Sequence, residues 1–442
     1  MKENIPAIQK IETLSNEEIC STIDWPLLIK QLQFAKENSR FWQEWFQRNN
    51  ILIDEIRSFS DYQSLPLLEK NELLEDQKNI PPYGKLLSVD MSEIARVHRT
   101  SGSSANPLMV LLTQNDIQNT LKAGQRAFTC AGMVPEDIVF HCLNYCMWSG
   151  GVTDHQCMEK TGAAIVPFGI GNSKYLIQTM LRMKPSGISC TPSYFLRLEE
   201  LLWDEFKLEP KELGLKKAFF GGEPGLQDRN YRNSLEDKWN LKAIDANYGM
   251  SEVMSILGSE CEYRKGLHFH GQGIVMPELI DQNGKIVDIR KGNSGELVLS
   301  CLLREGQPLF RYRTHDAVKI VESEGCECGR SGFIFKVIGR TDDMIVVKGI
   351  NFFPNSLQGT LPQFKSSLSG EFRVIVFSNE SKSILLQVEL AVSSMEEKEK
   401  AILIESLKKA ISSNHSVKIE IEILAKGSIE KTEGKTRRII HK

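Results

Sequence analysis

Six short segments of the chain contain hydroxyl, acidic or basic side chains, and five of the six also contain glycine; these are residue types that bind phosphate groups. They are residues 99–108, 219–224, 247–252, 312–316, 339–343 and 428–438. The first has the sequence RTSGSSANPL, and its backbone N–H groups and hydroxyls could surround phosphate oxygens. A plain flexible loop has the same composition, so the interpretation of this segment depends on the five that follow it.

In this order, the segments resemble the core motifs of the adenylate-forming superfamily, which includes acyl-CoA synthetases, peptide-synthetase adenylation domains and luciferases. Residues 339–354, GRTDDMIVVKGINFFP, are similar to the hinge segment of phenylacetate–CoA ligases, and the resemblance covers the chain from about residue 95 to its end. It implies an enzyme that converts a small carboxylic acid to an acyl-adenylate with ATP. The acyl group would then pass to the thiol of coenzyme A.

The resemblance also assigns roles to single residues at the nucleotide site. The phosphate loop would hold the β- and γ-phosphates, and two later turns would enclose the adenine. The ATP-binding residues implied in this way are Ser101, Gly102, Ser103, Ser104, Gly221, Gly222, Glu223, Pro224, Asn247, Tyr248, Gly249, Met250, Ser251, Asp316 and Arg340.

Two further residues would carry the chemistry, Lys435 and Glu252. Attack of a carboxylate on the α-phosphorus brings two anions together, so cationic and metal charge must offset their repulsion. Lys435 would reach the acyl carboxylate and the α-phosphate as a point charge on a flexible stem. Glu252 would offer Mg²⁺ a hard oxygen ligand, and Asp316 would accept hydrogen bonds from the ribose hydroxyls. Each residue alone is more often a solvated charge, and their shared order favours the functional interpretation.

The family position of the acyl pocket indicates Tyr145, Trp148, Ser149, Gly150 and Ala246 as its lining. Tyrosine and tryptophan there favour an aromatic or small cyclic acid, because flat rings stack and bury area together. Trp148 could instead belong to the core. The nearby Asp154 could pair with a substrate amine, in which case the substrate would be an amino acid.

The family implies that a small C-terminal domain turns about a hinge after the adenylate forms. Asp342 occupies the hinge position, and Lys348 and Gly349 would approach the tunnel for the pantetheine arm. Glycine there lets a thiol pass close to the backbone, and such motions concentrate dihedral changes in a few residues between domains.

Cysteines in a polar, glycine-flanked turn suggest a second bound metal. Cys326 and Cys328 from this turn, with Cys261 and His268 from another, would form a tetrahedral Cys₃His zinc site with His270 as the alternate ligand. Four protein ligands leave no open position, so the zinc would be structural. Unrelated thiols are the alternative.

The phosphate loop departs from the family pattern, since Ala105 and Asn106 stand where the family has Gly-Lys before the proline. The change predicts weaker handling of ATP and leaves open a catalytically impaired nucleotide-binding scaffold. A third alternative is an adenylating enzyme that loads a carrier-protein pantetheine or an amine.

The secondary-structure elements that position these segments are predicted from the spacing of apolar and turn-forming residues along the sequence. Residues 1–90 read as helices, and short β-rich runs alternate with amphipathic helices over about 135–255, which favours βαβ units and a parallel sheet. Residues 266–340 are turn-rich and predict antiparallel strands. The fold class is therefore α/β, with a large N-terminal domain over 1–341 and a small, mobile α+β domain over 342–442.

Composition excludes several classes of partner. The 442 residues are 41% apolar and 25% charged with a net charge of −3, so no strong field favours nucleic acid or an anionic membrane. The start of the chain has no apolar stretch typical of a signal peptide, and a cytoplasmic enzyme is expected. A homodimer stays open.

Overall fold

The computed structural model describes residues 8–100, 107–223, 226–227, 229–343, 345–347, 350–377, 384–415, 417–429 and 438–441. The chain forms two compact units. One comprises Met1–Glu223 and Lys238–Val337, and the other Pro224–Asp237 and Ile338–Lys442. The domain boundary predicted after residue 341 stays a prediction, and the second unit takes in Pro224–Asp237 in addition to the C-terminal residues.

Helices supply the N-terminal part of the chain and alternate with strands after it. They are α1 Asn16–Glu18, α2 Trp25–Asn38, α3 Arg40–Arg48, α4 Phe59–Gln63, α5 Lys70–Asn79, α6 Gln114–Cys130, α7 Ser149–Glu159, α8 Ser173–Met183, α9 Pro192–Leu201, α10 Arg229–Trp239, α11 Leu357–Thr360 and α12 Glu397–His415. Helix α3 shows why the first ones form. Ser39 caps it by accepting from the Trp42 amide, and its buried residues Phe41, Trp42, Trp45 and Phe46 share one face.

Twenty strands lie within the described residues. They are β1 Ile94–Arg99, β2 Met109–Thr113, β3 Ile138–His141, β4 Ala164–Pro167, β5 Gly187–Cys190, β6 Lys217–Gly221, β7 Lys242–Met250, β8 Met254–Glu260, β9 Leu267–Phe269, β10 Val275–Ile280, β11 Ile286–Val287, β12 Ser294–Cys301, β13 Tyr312–Glu322, β14 Ile334–Arg340, β15 Ile345–Val347, β16 Ile350–Phe352, β17 Leu368–Val376, β18 Ile384–Leu390, β19 Glu420–Leu424 and β20 Ile439–His441.

A twelve-stranded mixed sheet organises the large unit, in the order β11-β10-β12-β13-β14-β9-β8-β7-β6-β5-β3-β4. The five strands from β7 to β4 run parallel, as the alternation of strands and helices predicted. Strand β8 reverses direction beside β7, and antiparallel pairing continues beyond it. Because ligands of open α/β sheets lie beyond the carboxyl ends of their strands, the ends of β6 and β7 are where a site is expected.

The N-terminal helices share one core with the antiparallel half of the sheet. Leu28 and Leu32 of α2 and Trp42 of α3 are fully buried in the same cluster as Leu299 of β12 and Phe335 of β14. The Trp42 indole donates to the carbonyl of Pro308 at 2.9 Å. The helical region is thus part of the large unit, and it can contribute residues to a site on the sheet.

The small unit is an α+β fold, which confirms the predicted class. Its four-stranded sheet has the order β19-β18-β17-β20, with β17 and β18 antiparallel and both outer strands parallel to their neighbours. Helix α12 covers it through Leu407 and Ile411. Among the described residues of both units, every helix is too short or too polar to span a bilayer.

Candidate active site at the ends of the parallel strands

The turn after β6 brings the predicted adenine residues to the sheet edge. Gly221 pairs with Asn247 of β7, so closely that a β-carbon on Gly221 would lie 2.8 Å from that of Asn247. Gly222 has φ of +79°, a conformation that favours glycine. The Glu223 carboxylate accepts from the hydroxyl of Ser193 at 2.9 Å and from its amide at 3.3 Å. The turn is thereby fixed to the start of α9.

Strand β7 leads into the second predicted motif, residues 247–252, and contacts with other elements fix the positions of three of its residues. Tyr248 donates its hydroxyl to Asp316 Oδ2 at 2.8 Å, so the structure joins two residues that lie 68 positions apart. Gly249 faces the carbonyl of Ser255, which a β-carbon would approach to 2.2 Å, and only glycine fits there. The hydroxyls of Ser251 and Ser149 are 2.7 Å apart, which ties this motif to the predicted acyl pocket.

The loop between β3 and α7 carries the other predicted acyl-pocket residues. Trp148 is half-buried rather than part of the core. Its indole is so close to Gly150 that a β-carbon there would lie 2.7 Å from the ring, and a β-carbon on Gly222 would lie 3.6 Å from it. The indole therefore stands between the predicted acyl pocket and the adenine turn. Ala246 of β7 is buried.

A chain of three polar side chains orients Tyr145 in the same loop. Its hydroxyl is 2.9 Å from His155 Nδ1, and His155 Nε2 is 3.2 Å from a carboxylate oxygen of Glu159. Burial raises the pKa of Tyr145 further above its usual value. The phenol stays protonated near neutral pH and can donate or accept a hydrogen bond at the pocket.

Asp154 does not offer a free carboxylate to a substrate amine. The side chain is fully buried, and one of its oxygens accepts from the Asn247 amide. Burial raises the pKa of Asp154 well above its ordinary value, because a charged carboxylate loses its hydration there. A neutral, enclosed acid disfavours the amino-acid alternative for the substrate.

Glu252, the predicted Mg²⁺ ligand, forms an ion pair that the sequence did not reveal. The ammonium of Lys70, at the start of α5, lies 2.7 Å from Glu252 Oε1. The Glu252 side chain is only 10% exposed. Magnesium in nucleotide sites uses one or two protein carboxylates together with phosphate oxygens, so a lone carboxylate at the strand end suits it.

Asp316 lies on β13 within a network of charged residues. Arg313 on the same strand bridges Glu296 at 2.6 Å and Glu69 at 2.7 Å, and His315 Nε2 is 3.0 Å from Glu69. Hydrogen bonds from the Arg313 guanidinium to Glu296 raise the pKa of Arg313 further. The network fixes the strand that carries Asp316.

Several predicted residues lie outside the described residues, or are described only in part. They are Ser101, Gly102, Ser103, Ser104, Pro224, Lys348, Gly349 and Lys435. The base of the phosphate loop is described, and Thr100 donates its amide to the Leu108 carbonyl at 2.9 Å. Strands β1 and β2 pair antiparallel on either side of it. In the small unit, the Arg340 guanidinium donates two hydrogen bonds to Asp342, the residue predicted to be the hinge, at 2.9 and 2.7 Å.

The four predicted zinc ligands lie together in the large unit. One ligand atom from each of Cys261, His268, Cys326 and Cys328 lies within 4.8 Å of all the others. Cys261 and Cys326 sulfurs are 3.8 Å apart, and Cys328 sulfur is 3.7 Å from His268 Nε2. Zn–S bonds of about 2.3 Å in a tetrahedron separate sulfurs by about 3.8 Å, so the donor set fits zinc. His270, the alternate ligand, instead contacts the Ser259 hydroxyl at 2.9 Å.

Nearby groups stabilise negative charge on one member of this cluster, Cys328. Hydrogen bonds from Cys261 and His268 lower the pKa of the Cys328 thiol, and the Arg330 guanidinium lies 3.7 Å from the same sulfur. Arg330 also pairs with the buried Glu12 at 2.8 Å. Thiolates are the form that binds metal, and Arg330 supplies charge compensation in a second layer around them.

Sequence reasoning missed Lys70 and Glu69, which lie far from the other site residues in sequence, and it assigned no role to Arg313, although Arg313 lies within the 312–316 segment. The contact that brings Lys70 and Glu69 to the site is the backbone pairing of residue 68, and no local pattern in the sequence indicates it. Leu68 bridges Tyr312 in parallel, with its amide and carbonyl 3.0 Å from the carbonyl of Arg311 and the amide of Arg313. This bridge brings the start of α5 to the site.

Comparison with known proteins places this geometry in a family. Residues 27–301 match the AMP-binding enzyme family, and residues 349–442 match the AMP-binding enzyme C-terminal domain. Phenylacetate–coenzyme A ligase of Escherichia coli K12 is 28% identical, over 98% of this chain and 97% of the relative. The phenylacetate–coenzyme A ligase of Aromatoleum evansii is 30% identical over 79% of this chain and 77% of its own length.

A solved structure agrees with the sequence relatives. A 2-hydroxyisobutyryl-CoA ligase in the postadenylation state, in complex with 2-HIB-AMP, has a TM-score of 0.85 at 27% identity, covering all of this chain and 95% of that one. The family match covers more than half of the chain and includes the strands that end at Gly221 and Met250. This chain therefore belongs to the AMP-binding enzyme family, whose motifs its six sequence segments resemble.

Proposed function

We propose that the protein activates a small carboxylic acid with ATP to an acyl-adenylate and transfers the acyl group to the thiol of coenzyme A. The observation that carries the proposal is the meeting of the Gly221–Gly222 turn, Tyr248 and Glu252 around the ends of the neighbouring strands β6 and β7, where Tyr248 is hydrogen-bonded to Asp316 of β13. An AMP-forming CoA ligase is also what the family match and the named relatives support.

The proposed site residues divide the work of adenylation. Asp316, held by Tyr248, accepts hydrogen bonds from the ribose hydroxyls, and the Gly222 turn receives the adenine ring. Glu252 holds Mg²⁺, which supplies positive charge at the phosphates when bound. Lys435 supplies the cation at the reacting carboxylate, as the resemblance to adenylate-forming enzymes implies. Since two anions must approach each other, removal of either charge should slow this step far more than it weakens binding.

The acyl substrate we propose is a small acid, with preference for an aromatic ring. Tyr145 and the half-buried Trp148 offer ring surfaces beside the nucleotide turn, and apolar area buried against them favours flat, uncharged acyl groups. Two relatives are named for phenylacetate and for 2-hydroxyisobutyrate. The sizes of these two acids bracket the size that we propose for the acyl substrate. The buried, neutral Asp154 supports an acid without an amino group.

We also propose a structural zinc ion in the Cys261–His268–Cys326–Cys328 cluster. Three sulfurs and one imidazole complete a tetrahedron, so the ion would stabilise the loop and take no part in adenylation. A cytoplasmic location, where ATP and coenzyme A are available, completes the proposal.

The test is a panel of acids assayed for AMP release with coenzyme A present: phenylacetate, benzoate, 2-hydroxyisobutyrate and phenylalanine. We expect AMP release and thioester formation with an aromatic or small branched acid, and none with phenylalanine. Glu252→Gln should abolish it, while Glu262→Gln at an exposed position should not. If AMP release requires a carrier-protein pantetheine in place of coenzyme A, the proposal that coenzyme A is the acyl acceptor is wrong. Nucleotide binding without turnover of any acid would favour the impaired scaffold.

A further inference from the structure

A small cavity lies beside the predicted acyl pocket, and most of the residues that line it are polar. Ser149, which begins α7 and belongs to the predicted acyl pocket, lines this cavity together with Ser251. Ser251 comes one position before Glu252, the proposed Mg²⁺ ligand. The cavity has a volume of about 10 Å³, which is room for a single oxygen atom with its hydrogen. Its polar lining includes His98, Ser149, Thr153, Ser251, Ser255 and Arg304.

Arg304 brings hydrogen-bond donors to this cavity that have no acceptor. Its side chain is only 6% exposed, and its Nε lies 3.7 Å from the Asp116 carboxylate. Nη1 donates to the carbonyl of Val253 at 3.2 Å. Within the part of the chain that the structure describes, Nε and Nη2 make no hydrogen bond. A buried N–H group without an acceptor is destabilising, and an acceptor oxygen placed in the cavity supplies the missing partner.

The other polar groups of the cavity also leave a donor for a ligand. His98 Nδ1 lies 3.1 Å from the Met147 carbonyl, so that nitrogen carries a proton. Burial lowers the pKa of His98 to about 4, so the ring is neutral and Nε2 accepts from the Thr153 hydroxyl at 3.2 Å. The hydroxyls of Ser149 and Ser251 are 2.7 Å apart. Only one proton lies between these two oxygens, so the second hydroxyl proton can be donated to a ligand.

The charge of Arg304 is balanced inside the protein, and this balance decides the kind of acceptor that fits. The Asp116 side chain beside the guanidinium is fully buried. Its oxygens also accept from the amides of Glu305 and Gly306, at 2.7 and 2.9 Å. A second carboxylate on the substrate would bring an uncompensated charge into these buried surroundings. A hydroxyl or carbonyl oxygen accepts the same hydrogen bonds without a charge.

We propose that this cavity binds an uncharged oxygen substituent of the acyl substrate, and that Arg304 is the residue that selects for it. Because Ser251 lines the cavity and precedes the proposed Mg²⁺ ligand, the oxygen would lie close to the reacting carboxylate, as in a 2-hydroxy or 2-oxo acid. A methyl group at the same place would leave the donors unpaired. The inference rests on the proposed adenylation function and narrows its substrate class.

A cavity that only holds a structural water molecule makes a different prediction, so the two can be separated. Such a water stays in place whichever acid is bound. The enzyme would then treat a hydroxyl and a methyl substituent alike, apart from their difference in hydrophobicity. The ratio of kcat/KM for two acids that differ only in this replacement is therefore the informative quantity.

The experiment measures kcat/KM for AMP release, with ATP, Mg²⁺ and coenzyme A, for three pairs of acids in which methyl replaces hydroxyl. The pairs are 2-hydroxyisobutyrate and pivalate, mandelate and 2-phenylpropanoate, and salicylate and 2-methylbenzoate. We expect the wild type to prefer the hydroxy acid by at least about tenfold in at least one pair. Arg304→Met should bring that ratio close to one. Arg290→Met, at an exposed arginine, is the matched control and should keep the wild-type ratio.

A wild-type ratio below about tenfold in all three pairs, with at least one acid activated, would overturn the inference and leave the proposed function intact. The same ratio in wild type and Arg304→Met would overturn the role of Arg304. If Arg304→Met fails to fold, as judged by its thermal transition, Ser149→Ala removes a lining hydroxyl and should lower the ratio; an unchanged ratio would count against the site. A wild type that releases AMP with no acid would instead contradict the proposed function itself.

Discussion

The hydroxyl of Tyr248 donates a hydrogen bond to Asp316 Oδ2 at 2.8 Å, which links the end of β7 to β13 across the sheet. The Tyr248 ring also packs edge-on against Phe335, with centroids 5.3 Å apart. Tyr248 borders the nucleotide turn, and Asp316 is the carboxylate proposed to bind the ribose. Because the two side chains hold each other in place, substitution of one should alter the position of the other.

Loss of Asp316 should weaken nucleotide binding more than loss of its tyrosine partner. We expect Asp316→Ala to weaken ATP and AMP binding by about tenfold or more, since hydrogen bonds to a charged acceptor are worth about 1.5–3 kcal/mol. Tyr248→Phe, which removes only the orienting hydroxyl, should cost a few-fold. Isothermal calorimetry with AMP measures both. Asp288→Ala, at an exposed aspartate, is the control, and equal affinities in all four proteins would refute the role of Asp316.

Lys435 should be needed for adenylation and not for the thiol step. Lys435→Ala should lower the rate of acid-dependent ATP–pyrophosphate exchange by at least about a hundredfold, because the cation stabilises charge that develops only during this step. The same variant given synthetic acyl-adenylate and coenzyme A should form thioester at nearly the wild-type rate. Lys426→Ala, an exposed lysine nine positions earlier, should behave as wild type. Equal losses in both half-reactions would argue against the division of roles.

Purified protein should contain about one zinc ion per chain. Cys326→Ser or Cys328→Ser should lose the metal and lower the melting temperature by more than about 5 °C, since metal binding free energy adds to folding stability. Elemental analysis and calorimetry provide the readouts. The exposed, isolated Cys146→Ser controls for the loss of a thiol. A metal-free wild type of normal stability would remove the zinc proposal.

Ionisation of Asp24 should make the free energy of unfolding depend on pH, and substitution of Asp24 by asparagine should remove this contribution. The side chain is buried and accepts from the Gly273 amide at 3.2 Å. Burial raises its pKa from 3.8 to about 7. The unfolded chain ionises first, so Asp24 opposes folding increasingly as pH rises from about 4 to about 7, and constantly above that.

Asp24→Asn cannot ionise and should therefore be more stable than wild type above about pH 7, by at most on the order of 4 kcal/mol. At about pH 4 the two proteins should differ little. Urea denaturation of both proteins across this range gives the difference directly, and other titrating groups cancel in it. A difference that is constant with pH would show that Asp24 is ionised in the folded protein.

The sequence was sufficient to predict the parallel half of the sheet and the places where its glycine-rich turns lie. Strands and turns are local, and Gly221 ends β6 and Gly249 lies near the end of β7, each after a short β-rich run of the sequence. The antiparallel region and the α+β unit followed from the same kind of local pattern. The four residues predicted as zinc ligands also lie close together, while the metal itself stays a prediction.

Contacts that depend on how distant segments of the chain pack together could not be predicted from the sequence. The Lys70–Glu252 pair spans 182 positions, and it exists because Leu68 lies beside Tyr312. Nothing in the periodicity of residues 1–90 identifies that backbone bridge. The burial of Asp154 was likewise hidden, because it depends on α7 packing against the sheet rather than on its own neighbours in sequence.

The central claim is adenylation of a carboxylate, and the most direct test detects the intermediate. Wild-type protein is mixed with α-labelled ATP, Mg²⁺ and the best acid of the panel, without coenzyme A, and quenched within a single turnover. The account predicts a labelled acyl-adenylate that converts to AMP when coenzyme A is added, with equimolar thioester formed. Release of ADP in place of AMP, or AMP formation without any acyl-adenylate, would contradict it.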